Sequence, residues 1–153
     1  MHTSFRESMY KKQFKKTDLF LMKRQQTYVK VRYSETDQMG VVHHGNYAQY
    51  LEIARLEWLD QFGISYKLME EQGVMLPVYE MEFKFIKPAK FDDILRIETN
   101  LNKIPKVKIE FNYVVYNQEN ELITTATTVL VFMNSLTKRP IRCPEYILDK
   151  LEN

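Results

Sequence analysis

A chain of 153 residues, 44% hydrophobic and 13% aromatic, is long enough for one domain with a sizeable core, and a second domain is not expected. Its 22 basic and 20 acidic side chains nearly cancel to a net charge of +2, which excludes a global field that demands nucleic acid or an anionic membrane. The single cysteine, Cys143, excludes an internal disulfide and has no zinc-like spacing around it, so a reducing, cytoplasmic setting is expected.

Residues 1–25 are rich in Lys, Arg, Gln and Ser, with scattered aromatics at Phe5, Tyr10, Phe14 and Phe20. They read as a basic N-terminal arm, mobile or a short helix. A basic contact patch, or an over-extended start with Met22 as the initiator, are the other readings. The apolar run in this arm, Leu19 to Met22, is shorter than the about 7 to 15 residues of a secretory core. No stretch of the chain approaches the roughly 18 to 20 apolar residues of a membrane-spanning helix. Residues 26–153 read as a single domain.

From Val29 the chain alternates, with Val29, Val31 and Tyr33 on one side and Lys30 and Arg32 on the other, the period of a half-buried strand. From Asn46 the period changes. Tyr47, Leu51, Ala54, Trp58 and Phe62 recur at steps of three and four, which predicts a long helix with one buried face. Gly63 is a stop signal, and Ser65 is placed to cap a short second helix ending at Gly73. Strands are expected at about 74–86, 92–102, 106–117 and 121–135, with turn-rich clusters at 102–105 and 117–120 that suggest a meander of hairpins. In the third of these, Val107, Ile109, Phe111, Tyr113 and Val115 alternate with Lys106, Lys108, Glu110 and Asn112, so one face is packed. A turn at Thr137–Arg139, flanking prolines at 140 and 144, and a helical turn or two over 145–151 complete the chain. The order of elements gives the class α+β, with the long helix lying on a curved antiparallel sheet.

Between the first strand and the long helix, an acidic loop, two histidines and a helix start crowd together. Asp37 lies in that loop with Gly40 three residues on. A loop aspartate most often only builds an Asx turn. The first N–H groups of a helix have no internal acceptors and carry the positive end of its dipole, a natural site for an oxyanion. Glu35 is the rival acid, read as solvated or as supporting the site. Asn46 is placed to cap the helix with its side chain. Arg55 sits three residues after Glu52, a spacing suited to an ion pair on one helix face worth about 0.2 to 0.5 kcal/mol.

These residues carry a family resemblance. Tyr33-Ser-Glu-Thr-Asp37-Gln-Met-Gly40-Val-Val-His43-His44-Gly-Asn46-Tyr47, continuing through Glu52-Ile-Ala54-Arg55-Leu-Glu57-Trp58, resembles the signature of hotdog-fold acyl-CoA thioesterases of the 4-hydroxybenzoyl-CoA thioesterase type, close to the YbgC/FadM branch. Phe85-Ile-Lys87-Pro88-Ala89-Lys90-Phe91-Asp92-Asp93 is similar to the second recurring segment of that branch, and the likeness runs over about residues 26–140. The resemblance implies a hotdog fold, a long central helix wrapped by a curved antiparallel sheet, in a homodimer or dimer of dimers with sites at the interface. It also implies hydrolysis of an acyl thioester of coenzyme A, and in some members of acyl carrier protein, with no metal and no separate cofactor, since coenzyme A is part of the substrate.

On this resemblance Asp37 is the catalytic carboxylate, as nucleophile or general base. The backbone N–H of His44 polarises the carbonyl, Gly45 allows its close approach, and Asn46 shapes the turn. Met39, Val42, His43 and Tyr47 are then candidates for contact with the substrate, Met39 as a flexible residue that narrows the acyl pocket. Tyr47, Trp58 and Phe62 also read as core. Lys84, Lys87 and Lys90, with Arg96 and Lys106 behind them, are candidates for the phosphates of coenzyme A, against the reading of a solvated strand edge. Other classes stay open: a non-catalytic acyl-CoA or acyl carrier protein binding module, a dehydratase of the same fold, and nucleic-acid binding by the arm alone.

Overall fold

The computed structural model describes residues 24–152. A five-stranded antiparallel sheet in the order β1-β4-β5-β6-β3 is built from β1 (Arg24–Lys30), β3 (Val78–Phe85), β4 (Ile94–Leu101), β5 (Lys108–Tyr116) and β6 (Leu122–Val131). Helix α1 (Asn46–Gln61) lies against one face, and α2 (Tyr66–Glu71) and α3 (Glu145–Glu152) are shorter. This is the hotdog arrangement expected from the sequence. β1 takes in Arg24 and Gln25, which the sequence assigned to the arm; the rest of that arm lies outside the described residues.

The two periodicities meet in one core. β5 is the central strand, and its Ile109, Phe111, Tyr113 and Val115 are buried while the residues between them are only half covered. α1 answers with Tyr47, Tyr50, Leu51, Ala54, Trp58 and Leu59, all buried. The Trp58 ring meets the edge of Phe111 at 5.3 Å and packs on Phe62 at 4.5 Å, an arrangement that favours the aromatic quadrupoles as well as burial. Ser65 caps α2 by accepting from the Leu68 N–H, and Gly63 and Gly73 take positive φ where the helices end, as their sequence positions require.

Several expectations are corrected. The run 74–86 is two strands: Val74–Met75 (β2) pairs with Met133–Asn134 (β7) in a separate ribbon, and β3 starts at Val78. Pro77 explains the break, since it has no N–H to donate and its carbonyl instead accepts from Val131. The run 121–135 is divided in the same way at Phe132. Tyr33 is not on the buried face, because the chain leaves β1 after Lys30 and forms a 3-10 turn over Tyr33–Glu35 that leaves Tyr33 77% exposed. Val107 is likewise exposed. Arg55 makes no ion pair with Glu52 among the described residues. It is buried, and its guanidinium donates to the Tyr113 hydroxyl at 3.3 Å, which in turn shares a hydrogen with Thr128 at 2.7 Å.

Trp58→Ala should destabilise the fold by about 3 to 5 kcal/mol, the range for truncating a fully buried large aromatic, whereas Tyr33→Ala should change it by less than about 0.5 kcal/mol as an exposed substitution. Urea unfolding of the two variants beside the parent checks both.

Candidate active site

The loop between β1 and α1 is shaped by its own polar atoms. The Gly40 N–H donates to the Asp37 carbonyl at 3.0 Å, and the Asp37 N–H to the Val41 carbonyl at 2.8 Å, closing a tight turn. Gly40 sits at φ +78, a conformation that a side chain would strain. Asp37 Oδ1 accepts from the N–H of Met39 at 2.8 Å and of Val41 at 3.4 Å, an Asx turn. Aspartate first and glycine fourth is the residue choice such a turn favours. The turn occupies one oxygen of the carboxylate. Asp37 Oδ2 has no hydrogen-bond partner among the described residues.

This loop is held against the chain that follows β3. The Val42 N–H donates to the Ala89 carbonyl at 2.8 Å, Val41 bridges Lys90, and the Ala89 N–H reaches the Tyr47 hydroxyl at 3.4 Å. Ala89 is fully buried in the joint. Burial pushes the Tyr47 phenol above its usual range, so it stays protonated. The two sequence segments that carried the resemblance therefore touch, and a cavity of about 260 Å³ opens where they do, lined by Asp37, Val42, His44, Tyr47, Phe85, Ile86, Lys87 and Pro88.

Five of the residues singled out from sequence are brought together there: Asp37, Val42, His44, Tyr47 and Lys87. Gly45 and Asn46 form the start of α1 beside it, but not as expected. Asn46 is the first helical residue rather than the cap, and its side-chain amide donates to the Glu35 carbonyl at 2.8 Å. The cap position belongs to Gly45, whose N–H donates to His43 Nδ1 at 3.1 Å. His43 stacks on His44 with ring centroids 4.2 Å apart, and neither it nor Met39, which is 81% exposed, lines the cavity. The N–H of His44 donates to no group among the described residues, although those of His43, Gly45, Asn46 and Tyr47 all do.

The lysines separate. Lys87 pairs with Glu121 at the cavity. Lys84 lies on the other face of the sheet in a second cavity with Glu82, and Lys90 is exposed. Phe85, Ile86 and Pro88 line the site and were not singled out, although the second segment contained them. Among the described residues no group of His, Cys, Asp and Glu could hold a metal ion.

Glu35 is not solvated. It is 6% exposed and its carboxylate accepts from the Arg32 N–H at 2.7 Å, the Arg32 guanidinium at 3.2 and 3.1 Å, and the Tyr50 hydroxyl at 2.9 Å. Burial alone would raise its pKa, but the bonds from Arg32 and Tyr50 and the charge of Arg32 outweigh burial and hold the carboxyl below its usual range. Burial, followed by the bond to Glu35, pushes the Tyr50 phenol well up.

Residues 31–151 match the family model of the thioesterase-like superfamily. YbgC of Escherichia coli O6:H1, an acyl-CoA thioester hydrolase, is 31% identical over 81% of this chain and 92% of its own length. YneP of Bacillus subtilis, designated an acyl-CoA thioesterase by inference, is 32% identical over 74% of this chain and 83% of its own. Among solved structures, a DHNA-CoA thioesterase from Staphylococcus aureus superposes with a TM-score of 0.78 at 35% identity, covering 82% of this chain and 85% of that one.

A carboxyl held below its unfolded value stabilises the fold at pH values above that unfolded value, and the stabilisation fades as the pH falls through the folded one. Glu35→Gln should therefore be less stable than the parent at neutral pH, and the gap should close as the pH falls below the ordinary glutamate value of 4.5. Denaturant unfolding of both proteins from neutral pH down through that value measures it.

Proposed function

Since this chain belongs to the thioesterase-like superfamily, we propose that it hydrolyses acyl-CoA thioesters, with Asp37 supplying the carboxylate and the His44 N–H receiving the carbonyl oxygen. The observation that carries the reading is that Asp37 and His44 line one cavity, while the His44 N–H has no acceptor among the described residues. In the reaction water adds across the thioester, the C–S bond breaks, and a carboxylic acid and a thiol leave. Asp37 acts either by attacking the carbonyl or by taking a proton from the attacking water. As the carbonyl becomes tetrahedral its oxygen gains charge, and a fixed N–H at a helix start stabilises that charge by about 2.7 to 4 kcal/mol in comparable sites. Val42, Tyr47, Phe85, Ile86 and Pro88 give the acyl group an apolar wall.

Lys87 is the cation nearest the chemistry and the first choice for a phosphate of coenzyme A; its partly exposed pair with Glu121 is of a kind worth little in water. The homodimer belongs to the same proposal. Among the described residues β3 pairs with β6 alone, which leaves its outer edge without a strand partner there, and Val78, Tyr79, Phe85 and Ile86 are exposed along it. A second copy pairing there would cover apolar residues that also line the cavity. A cytoplasmic location fits Cys143, which is buried and whose thiol burial pushes up to about 12.

Asp37→Asn is the decisive variant, because asparagine keeps the Asx turn while losing the charge. Thiol release from short, long and aromatic acyl-CoAs, and from acyl carrier protein thioesters, should fall by about 1,000-fold or more, roughly 4 kcal/mol of barrier, with the melting temperature little changed. Binding of acyl-CoA with no thiol released by the parent would instead favour the non-catalytic module, and equal rates in parent and variant would remove Asp37 from the chemistry.

A further inference from the structure

Glu35 is neither in the cavity nor free to react, yet both ends of the loop that carries the site are tied to it. Its carbonyl accepts from the His43 N–H at 2.9 Å and from the Asn46 amide at 2.8 Å, one residue before and two residues after His44. Its carboxylate is buried and joins two further elements. Oε1 accepts from the Arg32 N–H just beyond β1 and from the Tyr50 hydroxyl one turn into α1, while Oε2 takes the Arg32 guanidinium. Tyr50 is 1% exposed, so its hydroxyl is fixed by the core and cannot follow a drifting loop.

Asp37 is two residues from this anchor on the chain, and His44 is held to it through His43 and Asn46. Through its backbone carbonyl and its carboxylate, one residue thus contributes ties on both sides of the spacing between the Asp37 carboxylate and the His44 N–H. We propose that Glu35 is a positioning residue for the reaction, fixing the Asp37 loop against the start of α1 by tying the end of β1 to Tyr50. The inference rests on the reading of Asp37 and His44 given above. A displacement on the order of 1 Å at a reacting centre can cost about 100-fold in rate. Loss of the anchor therefore lowers kcat and leaves the affinity for the coenzyme A portion alone.

The chemistry of the bonds separates a positioning role from a reacting one. Glutamine keeps one carbonyl oxygen for the Arg32 N–H and Tyr50, and loses only the guanidinium, which is exposed on Arg32 and can turn to water. Methionine has similar length and offers no strong acceptor. Glu35→Gln should keep kcat within about fivefold of the parent, while Glu35→Met should lose about 10- to 100-fold in kcat with KM within about threefold, by the loss of orientation just described. Tyr50→Phe, which keeps the ring and removes the hydroxyl, should lower kcat by about 3- to 10-fold at unchanged KM. Combined with Glu35→Met it should add nothing further, because both break the same tie.

The variants are assayed as full-length protein for thiol release, beside Asp37→Asn and with melting temperatures recorded. Unchanged kcat in folded Glu35→Met overturns the inference and leaves the reading of Asp37 intact. If Glu35→Met does not fold, Tyr50→Phe decides: a lowered kcat with KM unchanged supports the tie, and a parental kcat overturns it. If Glu35→Gln falls as far as a reacting carboxylate would while Asp37→Asn stays active, Glu35 is itself the acid, and both readings fail.

Discussion

The seating of α1 on the sheet is the constraint from which the rest follows. Leu51, Ala54 and Trp58 are fully buried between helix and sheet, so the helix can neither roll nor slide without opening a void in a close-packed core. That fixes where its first turn points. Tyr47 and Tyr50 stand on the same buried stripe one turn nearer the start, and each reaches a polar partner with its hydroxyl: Tyr47 toward Ala89, Tyr50 toward Glu35. The core thus delivers two fixed hydroxyls to the place where two loops must be joined. Packing energy that stabilises the fold also sets the geometry of the site.

In the proposed reaction, turn chemistry and reaction chemistry meet in the one side chain of Asp37. An Asx turn needs one oxygen as acceptor, and a carboxylate has two. The turn's donors freeze the side-chain torsion, so the second oxygen is aimed without further support from the protein. A glutamate could not do this, since its extra methylene takes the carboxylate out of reach of its own turn. On the proposed function, the ordinary structural role of Asp37 is therefore the means by which it is held ready, and the two readings of Asp37 are not rivals.

What could be read from sequence was what depends on local pattern. The alternation in β5, the buried stripe of α1, the caps at Ser65 and Gly73 and the D-x-x-G turn all act over a few residues, and all are found where the pattern puts them. What could not be read depends on distant partners. Asn46 looks like a cap by its place before a helical stripe, but the Glu35 carbonyl lies within reach and takes its amide, leaving Gly45 in the cap position with no side-chain cap. Arg55 has the spacing of a surface ion pair, yet it faces Tyr113 on a strand 58 positions away. Glu35 read as solvated or as supporting the site, and it is the fold that brings the Tyr50 hydroxyl to it beside the three donors of Arg32. The contact of the two segments through Val42 and Ala89 is of the same kind: each segment was legible, and their meeting was not.

The lysines make the same point for charge. Lys84, Lys87 and Lys90 recur at steps of three, and as a helix they would share one face. On β3 the period is two, so Lys84 goes to the outer face with Glu82. The strand then ends at Phe85, and the chain bends at Lys87, which lines the cavity, while Lys90 is exposed. Of three lysines that read as phosphate candidates or as a solvated strand edge, one lines the cavity with Asp37, and it pairs with Glu121. A site built this way has little positive charge of its own near the reacting carbonyl. On the proposed reading, phosphates of coenzyme A beyond the reach of Lys87 are met by the surface outside the cavity, and the proposed chemistry rests on the turn, the helix start and the tie between them.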